Sequence, residues 1–433
     1  MSLSFEAEWE RLDSGSPQER ACFAAIGIQA RGVWLTEADD AFVRRVREKV
    51  HLSAYRLAEW LAWNWWRLRW EPNTRRPDWP FAHRLSTIGG GYVWPNITVI
   101  SDGERVALVS RPTQSSPAEP LRYISSIAAF FHAHEFEDAV DRFLDQVCGQ
   151  LQAEGVVDTN AERIWRDVQE ERHDPIAAQW RRLEALLGFD PGEAQTEIVE
   201  RLVAEASSLG SLAVNELAAA ALAETFSREK LRDVARICGF DAASHRVTSL
   251  PASALPSIGQ VPAWRRGVEA AQLLRAKERL GTNPLDNANL TDLAGVEARS
   301  LTDQQVGPAL AYALSDHSSH RRLVFRSKWL TGRRFELARL LGDDLAGIGA
   351  QEPLRPATSA STYRQKFQRS FAAELLCPFA LAEEMLAGDY SAESLEDVAQ
   401  HFHVSEHVVR THLINHGRAE REDLEGDLEA MAV

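Results

Sequence analysis

Cysteine and long apolar runs are scarce in this sequence of 433 residues. The cysteines are far apart, which excludes a CxxC zinc knuckle and a dense disulfide framework; they are Cys22, Cys148, Cys238 and Cys377. The most apolar stretch, residues 211–223, is short and is interrupted by Asn215 and Glu216. The first residues lack the basic and apolar regions of a signal peptide. We therefore expect a cytoplasmic protein with no membrane partner.

Positive charge is also in deficit. Lys and Arg number 48 against 63 Asp and Glu, which gives a net charge of −15. This balance argues against sequence-independent binding to a phosphate backbone as the main role, so any nucleic-acid contact must be local. The composition, 45% hydrophobic and 26% charged, is that of a globular protein, and the length suits two to four domains.

Tryptophan distinguishes the first region of the chain. Residues 1–155 hold nine of the 13 tryptophans and are predicted to form a separate α+β domain. Thr36 and Asp39 have the spacing of a capping box, which predicts a helix through Phe42. Ser53 is predicted to cap a second helix that runs to Trp70.

A β-hairpin is predicted later in the same domain. Two apolar β-branched segments, 97–100 and 106–109, flank Asp102 and Gly103, the residues expected in a two-residue turn. Pro95 predicts that the first strand lies at a sheet edge. Helical spacing from 124 to 151 completes the domain.

The rest of the chain is predicted to be mainly helical. Residues 156–258 form a helical middle region and linker, residues 259–418 a third domain, and residues 419–433 an acidic tail. The whole is therefore an α+β protein that is predominantly α-helical. Helices of the third domain are predicted near 263–280, 303–315, 333–347, 363–376, 379–387, 394–402 and 405–415.

Three segments of the third domain occur in a characteristic order. Residues 332–347 read GRRFELARLLGDDLAG, residues 370–378 read SFAAELLCP, and residues 395–413 read LEDVAQHFHVSEHVVRTHL. Together they resemble the ImmA/IrrE family of bacterial metallopeptidases, whose segments are RF-x-LAHELGH, E-x-x-AN-x-FAAELLMP and a helical piece with a VS turn. The resemblance covers residues 262–416 and implies a peptidase-like helical domain with a helix-turn-helix-like end.

The zinc motif of that family is degenerate here. His-Glu-x-x-His chemistry needs two imidazoles at i and i+4 and an intervening carboxylate base. The two His positions fall on Arg339 and Asp343, the Glu position on Leu340, and the third ligand on Gln365. We therefore expect no metal, no cofactor and no catalytic residue, and an ion pair between Arg339 and Asp343 across one helical turn.

The last segment, 394–416, has the pattern of a helix-turn-helix. Residues 391–418 contain four acids, two arginines and five histidines, whereas DNA-reading helices present a basic face. We expect the helix that starts near Ser405 to pack against the peptidase-like core, and DNA reading remains an alternative.

Interleaved arginine and tryptophan mark candidate contact surfaces for a protein partner or, locally, for nucleic acid. The 53–70 helix places aromatic side chains on all faces, which indicates either a partner-binding surface or an ordinary core. The candidate contacts are Trp60, Trp63, Trp66, Arg67, Arg69, Arg326, Arg333, Arg334 and Arg410.

These observations lead to one functional expectation and two alternatives. We expect a catalytically inactive ImmA/IrrE-like regulatory or scaffold protein that acts through protein contacts. The resemblance implies a setting in phage defence, mobile-element control or stress regulation. The alternatives are a metallopeptidase with an unrecognised site and a helix-turn-helix DNA-binding regulator.

Overall fold

The computed structural model describes residues 3–74, 76–113, 121–222, 227–243, 247–303, 310–315, 320–348 and 352–418. These residues form two compact units that divide between Ala194 and Gln195. The fold is α+β with 52% helix and 17% strand, which confirms the predicted class. Within the described ranges, no helix has the length and apolar character needed to cross a membrane.

Small antiparallel sheets make up the β-structure of the first unit. β2 pairs with β1, β3 and β6, while β4 lies between β5 and β9, and β8 lies between β10 and β7. The strands are β1 (Leu3–Trp9), β2 (Phe23–Ala30), β3 (Val33–Trp34), β4 (Ala38–Asp40), β5 (Arg45–Arg47), β6 (Val50–Ser53), β7 (Ile97–Ser101), β8 (Arg105–Ser110), β9 (Leu121–Tyr123) and β10 (Ala128–His132).

Helices cover these sheets. The 21-residue helix α5 buries Phe136, Val140, Phe143 and Val147, and it packs against β1 and α2. The helices of this unit are α1 (Pro17–Ala21), α2 (Ala54–Trp63), α3 (Trp65–Trp70), α4 (Trp79–His83), α5 (Ala133–Ala153), α6 (Asn160–His173) and α7 (Pro175–Leu187).

Ser53 caps α2 as predicted, because its hydroxyl accepts a hydrogen bond from the amide of Arg56. The single helix predicted up to Trp70 is wrong, since the chain leaves helical geometry at Asn64, which separates α2 from α3. The side-chain amide of Asn64 donates to the carbonyl of Trp60 at 2.9 Å. A local side-chain bond thus competes with helix continuation.

The helix predicted after Thr36 is also wrong, because β4 and β5 occupy that segment. The buried Thr36 hydroxyl accepts from the amide of Ile28 and donates to the carbonyl of Glu48. The side chain therefore links strand segments and is not available to cap a helix. The apolar residue Phe42 is left exposed between the two strands.

The predicted hairpin is confirmed in β7 and β8, and β7 lies at the sheet edge as Pro95 indicated. The amide of Asp102 donates to the carbonyl of Arg105, so the two turn residues are Gly103 and Glu104, one position later than predicted. The helix expected from residue 124 begins at Ala133 because β10 precedes it.

The second unit joins a four-stranded antiparallel sheet to a set of helices. The strands are β11 (Phe240–Ala243), β12 (Ala311–Ser315), β13 (His320–Val324) and β14 (Leu354–Ala357), in the order β11-β13-β12-β14. The helices are α8 (Thr196–Leu209), α9 (Ser211–Ala219), α10 (Arg228–Cys238), α11 (Ala263–Lys277), α12 (Asn287–Leu293), α13 (Arg299–Thr302), α14 (Leu330–Ala346), α15 (Tyr363–Leu376), α16 (Phe379–Leu386), α17 (Ala392–Phe402) and α18 (Glu406–Asn415).

The sheet of this unit was not predicted. Residues 311–315 were expected to end a helix and instead form β12, while residues 304–309 of that predicted helix lie outside the described residues. By contrast, α15 has the predicted bounds. The boundary between the units falls inside the predicted middle region, with α6 and α7 before it and α8 to α10 after it.

Candidate functional site

Two packed helices carry the residues singled out by the degenerate motif. Helix α14 carries Arg339, Leu340 and Asp343, and helix α15 carries Gln365. All four side chains are buried. We call this group the inter-helix centre.

Close packing of α14 on α15 was predicted and is confirmed. A Cβ atom added to Gly342 would lie 2.5 Å from a ring carbon of Phe371, so only glycine allows this approach. The contact is completed by side chains predicted to supply it, of which Phe335 is half-buried and the others are buried: Leu337, Leu341, Ala372, Leu375 and Leu376.

Arg339 does not pair with Asp343, so the predicted ion pair is wrong. One guanidinium nitrogen of Arg339 donates to the Thr358 carbonyl and to the side-chain oxygen of Gln365, both at 2.6 Å. A longer bond of 3.3 Å reaches Gln368. Burial among these uncharged acceptors lowers the pKa of Arg339 to about 9.

Asp343 pairs instead with Arg364 of α15. The Nε and Nη2 atoms of Arg364 lie 2.8 and 2.6 Å from the two carboxylate oxygens, a bidentate arrangement between buried side chains. Burial alone would lower the pKa of Arg364, but the Asp343 carboxylate outweighs it and raises that pKa. Arg364 was not singled out in the sequence.

A further carboxylate reaches this group from α9. The Thr362 hydroxyl lies 2.9 and 2.8 Å from the two carboxylate oxygens of Glu216, and it donates its proton between them. The nearby Gln365 side-chain amide donates to the Pro356 carbonyl at 3.0 Å. Burial raises the pKa of Glu216 to about 7, against the opposing charge of Arg364.

The donor groups of the inter-helix centre do not fit zinc. Arg339 has no lone pair for a metal, and Leu340 offers neither a ligand nor a base. Both oxygens of Asp343 face Arg364, and the Gln365 side-chain oxygen already accepts from Arg339 and from the amide of Thr358. Elsewhere in the described part of the chain, no group of three or more His, Cys, Asp or Glu residues is arranged to hold a metal ion.

Three candidate contacts of the first unit are buried with partners of their own. Trp66 donates from its ring nitrogen to Glu171 at 3.0 Å. Arg67 pairs with Glu71 at 2.7 Å and with Asp190 at 3.0 Å. Arg69 pairs with Glu137 and also donates to the Gly103 carbonyl. Their interpretation as surface contacts is corrected, because these side chains are buried and make their contacts inside the unit.

An aromatic surface patch does exist beside them. Trp63 is 49% exposed and Phe81 is 68% exposed, whereas Trp60 is half-buried. The ring nitrogen of Trp60 donates to the Phe81 carbonyl at 3.1 Å, and Trp60 and Trp63 are three residues apart on α2. We call these three residues the aromatic patch. Phe81, which follows Pro80, was not singled out by any pattern in the sequence.

Two of the basic candidates in the second unit are also buried. Arg333 donates to backbone carbonyls that include those of Ser300 and Ser327. Arg334 donates to the Leu285 and His403 carbonyls. Both arginines hold loops against α14, so their interpretation as contact residues is corrected as well.

Arg326 is exposed, and its Nε atom lies 3.5 Å from a carboxylate oxygen of Glu336. That carboxylate also accepts hydrogen bonds from the amides of Arg326 and Ser327. Arg326 therefore remains an accessible basic candidate, four residues before α14 begins.

Helix α18 packs against α15 and α16, which confirms the predicted packing. Val408, Val409 and Leu413 are buried, and so is His412. Burial lowers the pKa of His412 to about 4, although a hydrogen bond with the Ala373 backbone opposes this shift.

Arg410 lies on the opposite, exposed face of α18. Its exposed neighbours in the helix are Glu406 and His407, so this face carries both an acidic and a basic side chain.

Searches of protein-family models, curated proteins and solved structures found no match for this chain.

Proposed function

We propose that the second unit is an ImmA/IrrE-like module that has lost its metal and its catalysis and acts as a regulatory or scaffold element through protein contacts. The observation that carries this proposal is the burial of all four motif positions on two packed helices. Their polar side chains are hydrogen-bonded to protein partners and do not form a set of zinc ligands. The setting in phage defence, mobile-element control or stress regulation rests on the resemblance alone.

The bonds of the inter-helix centre supply a structural substitute for a metal. Arg339 to Gln365 and Arg364 to Asp343 both join α14 to α15. In the ImmA/IrrE pattern a zinc ion would join the same helices through the positions of Arg339, Asp343 and Gln365. The module thus keeps the helix pair together without an activated water, which hydrolysis by that mechanism requires.

The aromatic patch supports action through protein contacts. Tryptophan and arginine are enriched at the energetic centres of interfaces, and Trp63 and Phe81 present apolar area on the surface of the first unit. The patch is a specific surface that a protein partner would cover.

Restoring the motif tests whether the inter-helix centre corresponds to the zinc position. The variant combines Arg339→His, Leu340→Glu, Asp343→His and Gln365→Glu with Arg364→Met, which removes the cation left without Asp343. We expect it to bind about one zinc per chain, since the helix pair would then present two imidazoles and a carboxylate. Gln400→Glu with Arg410→His, which makes the same types of change at exposed positions, is the control.

A folded restored variant that binds no zinc would refute the correspondence. If the five changes prevent folding, Arg339→His and Gln365→Glu with Arg364→Met give the smaller test, because Asp343 is then released from Arg364 and remains as the third ligand. Circular dichroism establishes folding in each case, and metal analysis after gel filtration gives the stoichiometry.

A further inference from the structure

Helix α9 brings a charged side chain to the inter-helix centre from outside the ImmA/IrrE-like segment. That segment covers residues 262–416, whereas Glu216 precedes it by more than one complete helix. Glu216 is one of the two polar residues that interrupt the most apolar stretch of the chain. A buried carboxylate in such a stretch costs free energy unless it is matched by donors and positive charge.

The hydrogen-bond donor that meets Glu216 lies at the start of α15. Thr362 caps this helix, and its hydroxyl both donates to Glu216 and accepts from the amide of Gln365. The guanidinium of Arg364, which donates to Asp343 and Glu352, supplies positive charge near Glu216. Asp343 also faces Glu216, and its negative charge opposes the ionised carboxylate.

A second carboxylate fixes the start of α9 to the same arginine. The two carboxylate oxygens of Glu352 accept from the amides of Leu212 and Ala213 at 2.7 and 3.0 Å. One of these oxygens lies 3.5 Å from Arg364. A Cβ atom on Gly210 would lie 2.5 Å from the Glu352 carboxyl carbon, so this docking requires glycine just before α9.

We propose that the surroundings of Glu216 form a carboxylate-binding site, with Thr362 as its hydrogen-bond donor, Arg364 as its positive charge and Glu216 of α9 as its resident ligand. The receptor matches this class of ligand because the Thr362 hydroxyl lies within hydrogen-bond distance of both carboxylate oxygens, and the charge of Arg364 favours an anion there. Removing the Glu216 side chain leaves those groups facing a cavity that formate or acetate can fill. This binding proposal is argued from the contacts of Glu216 alone, so it does not depend on the proposed loss of a metal site.

Chemical rescue tests the proposal. Glu216→Ala is unfolded thermally in sodium formate, in sodium acetate, and in sodium chloride of equal ionic strength. Formamide, which has nearly the shape of formate but no charge, is the second comparison. We expect the unfolding midpoint of Glu216→Ala to rise by several degrees with increasing formate, and less or not at all with chloride or formamide.

Glu200→Ala, at an exposed position on α8, is the matched control and should not respond specifically to formate. A folded Glu216→Ala variant that responds equally to formate, formamide and chloride overturns the proposal. If the variant does not fold in buffer, the same solutes are present during refolding, and recovery in formate but not in chloride supports the site. Failure to recover in any solute overturns it. The zinc content of the unaltered protein is a separate readout, so the two proposals are tested independently.

Discussion

Arg364 holds both carboxylate oxygens of Asp343, with nitrogen–oxygen distances of 2.8 and 2.6 Å. The two residues lie on different helices, and both are buried. This pair, and not the predicted contact between Arg339 and Asp343, therefore provides the ionic link between α14 and α15.

Asp343→Ala should lower the free energy of unfolding by about 3–5 kcal/mol, because it leaves the buried Arg364 guanidinium without its bidentate partner. Asp343→Leu with Arg364→Met should recover most of that loss, since it removes both charges and retains volume. Urea denaturation gives both values. Glu269→Ala, which removes the carboxylate of the exposed Arg265–Glu269 pair, should change the free energy by less than about 0.5 kcal/mol. Equal effects of the buried and exposed changes would contradict the burial of the pair.

His412 should make the second unit sensitive to acid. Its pKa is lowered by burial from 6.5 to about 4, so the unfolded chain binds more protons than the folded chain between these values. Stability is therefore present above pH 6.5 and is lost as the pH falls toward 4, with a loss of about 2 kcal/mol at pH 5.

Urea denaturation of the unaltered protein and of His412→Phe, above pH 6.5 and at pH 5, tests whether acid lowers the stability through His412. The variant should lose less stability on acidification, whereas His407→Phe, at an exposed position on the same helix, should behave as the unaltered protein does. Parallel pH curves for the unaltered protein and His412→Phe would show that His412 is not buried in its neutral form.

Truncation of Trp66, which is buried, should mainly reduce stability, whereas truncation of Trp63 in the aromatic patch should mainly reduce association. Trp66→Ala should cost about 3–5 kcal/mol, because it opens a cavity and removes the ring donor to one oxygen of Glu171. Trp63→Ala should cost about 1 kcal/mol or less in folding, but it should weaken association with a protein partner. Denaturation and sedimentation measure the two effects. A large folding cost for Trp63→Ala would show that Trp63 belongs to the core.

Helix α18 should not bind duplex DNA with the steep salt dependence of a basic reading helix. Its buried face packs on α15 and α16, and its exposed face places Glu406 near Arg410. Fluorescence anisotropy with a labelled duplex between roughly 50 and 200 mM salt measures this. Tight binding that Arg410→Ala reduces, and that the exposed Arg265→Ala does not, would favour the DNA-binding alternative.

The sequence predicted those elements whose signals are local. Ser53 caps α2, and α15 has the predicted bounds, because a cap and a helical period act within a few residues. Thr36 misled the prediction because its hydroxyl serves strand segments through Ile28 and Glu48. Whether Thr36 caps a helix or joins strand segments depends on which distant residues pair with it, and the capping-box spacing gives no information on that pairing.

The candidate site was predictable in position but not in its bonds. Two residues one helical turn apart, Arg339 and Asp343, suggested a pair, but each binds a residue of α15 or its surroundings. Glu216 was noted only as an interruption of an apolar stretch. Its approach to Thr362 is a long-range contact between helices, for which the sequence holds no spacing rule.

Zinc content tests the central claim most directly. The protein is purified without chelator or affinity metal, incubated with excess zinc, passed through gel filtration and analysed for metal per chain. We expect only trace zinc, because Arg339, Leu340, Asp343 and Gln365 leave no ligand set for the ion. Near one zinc per folded chain, retained through gel filtration and lost in Asp343→Asn, would contradict the account.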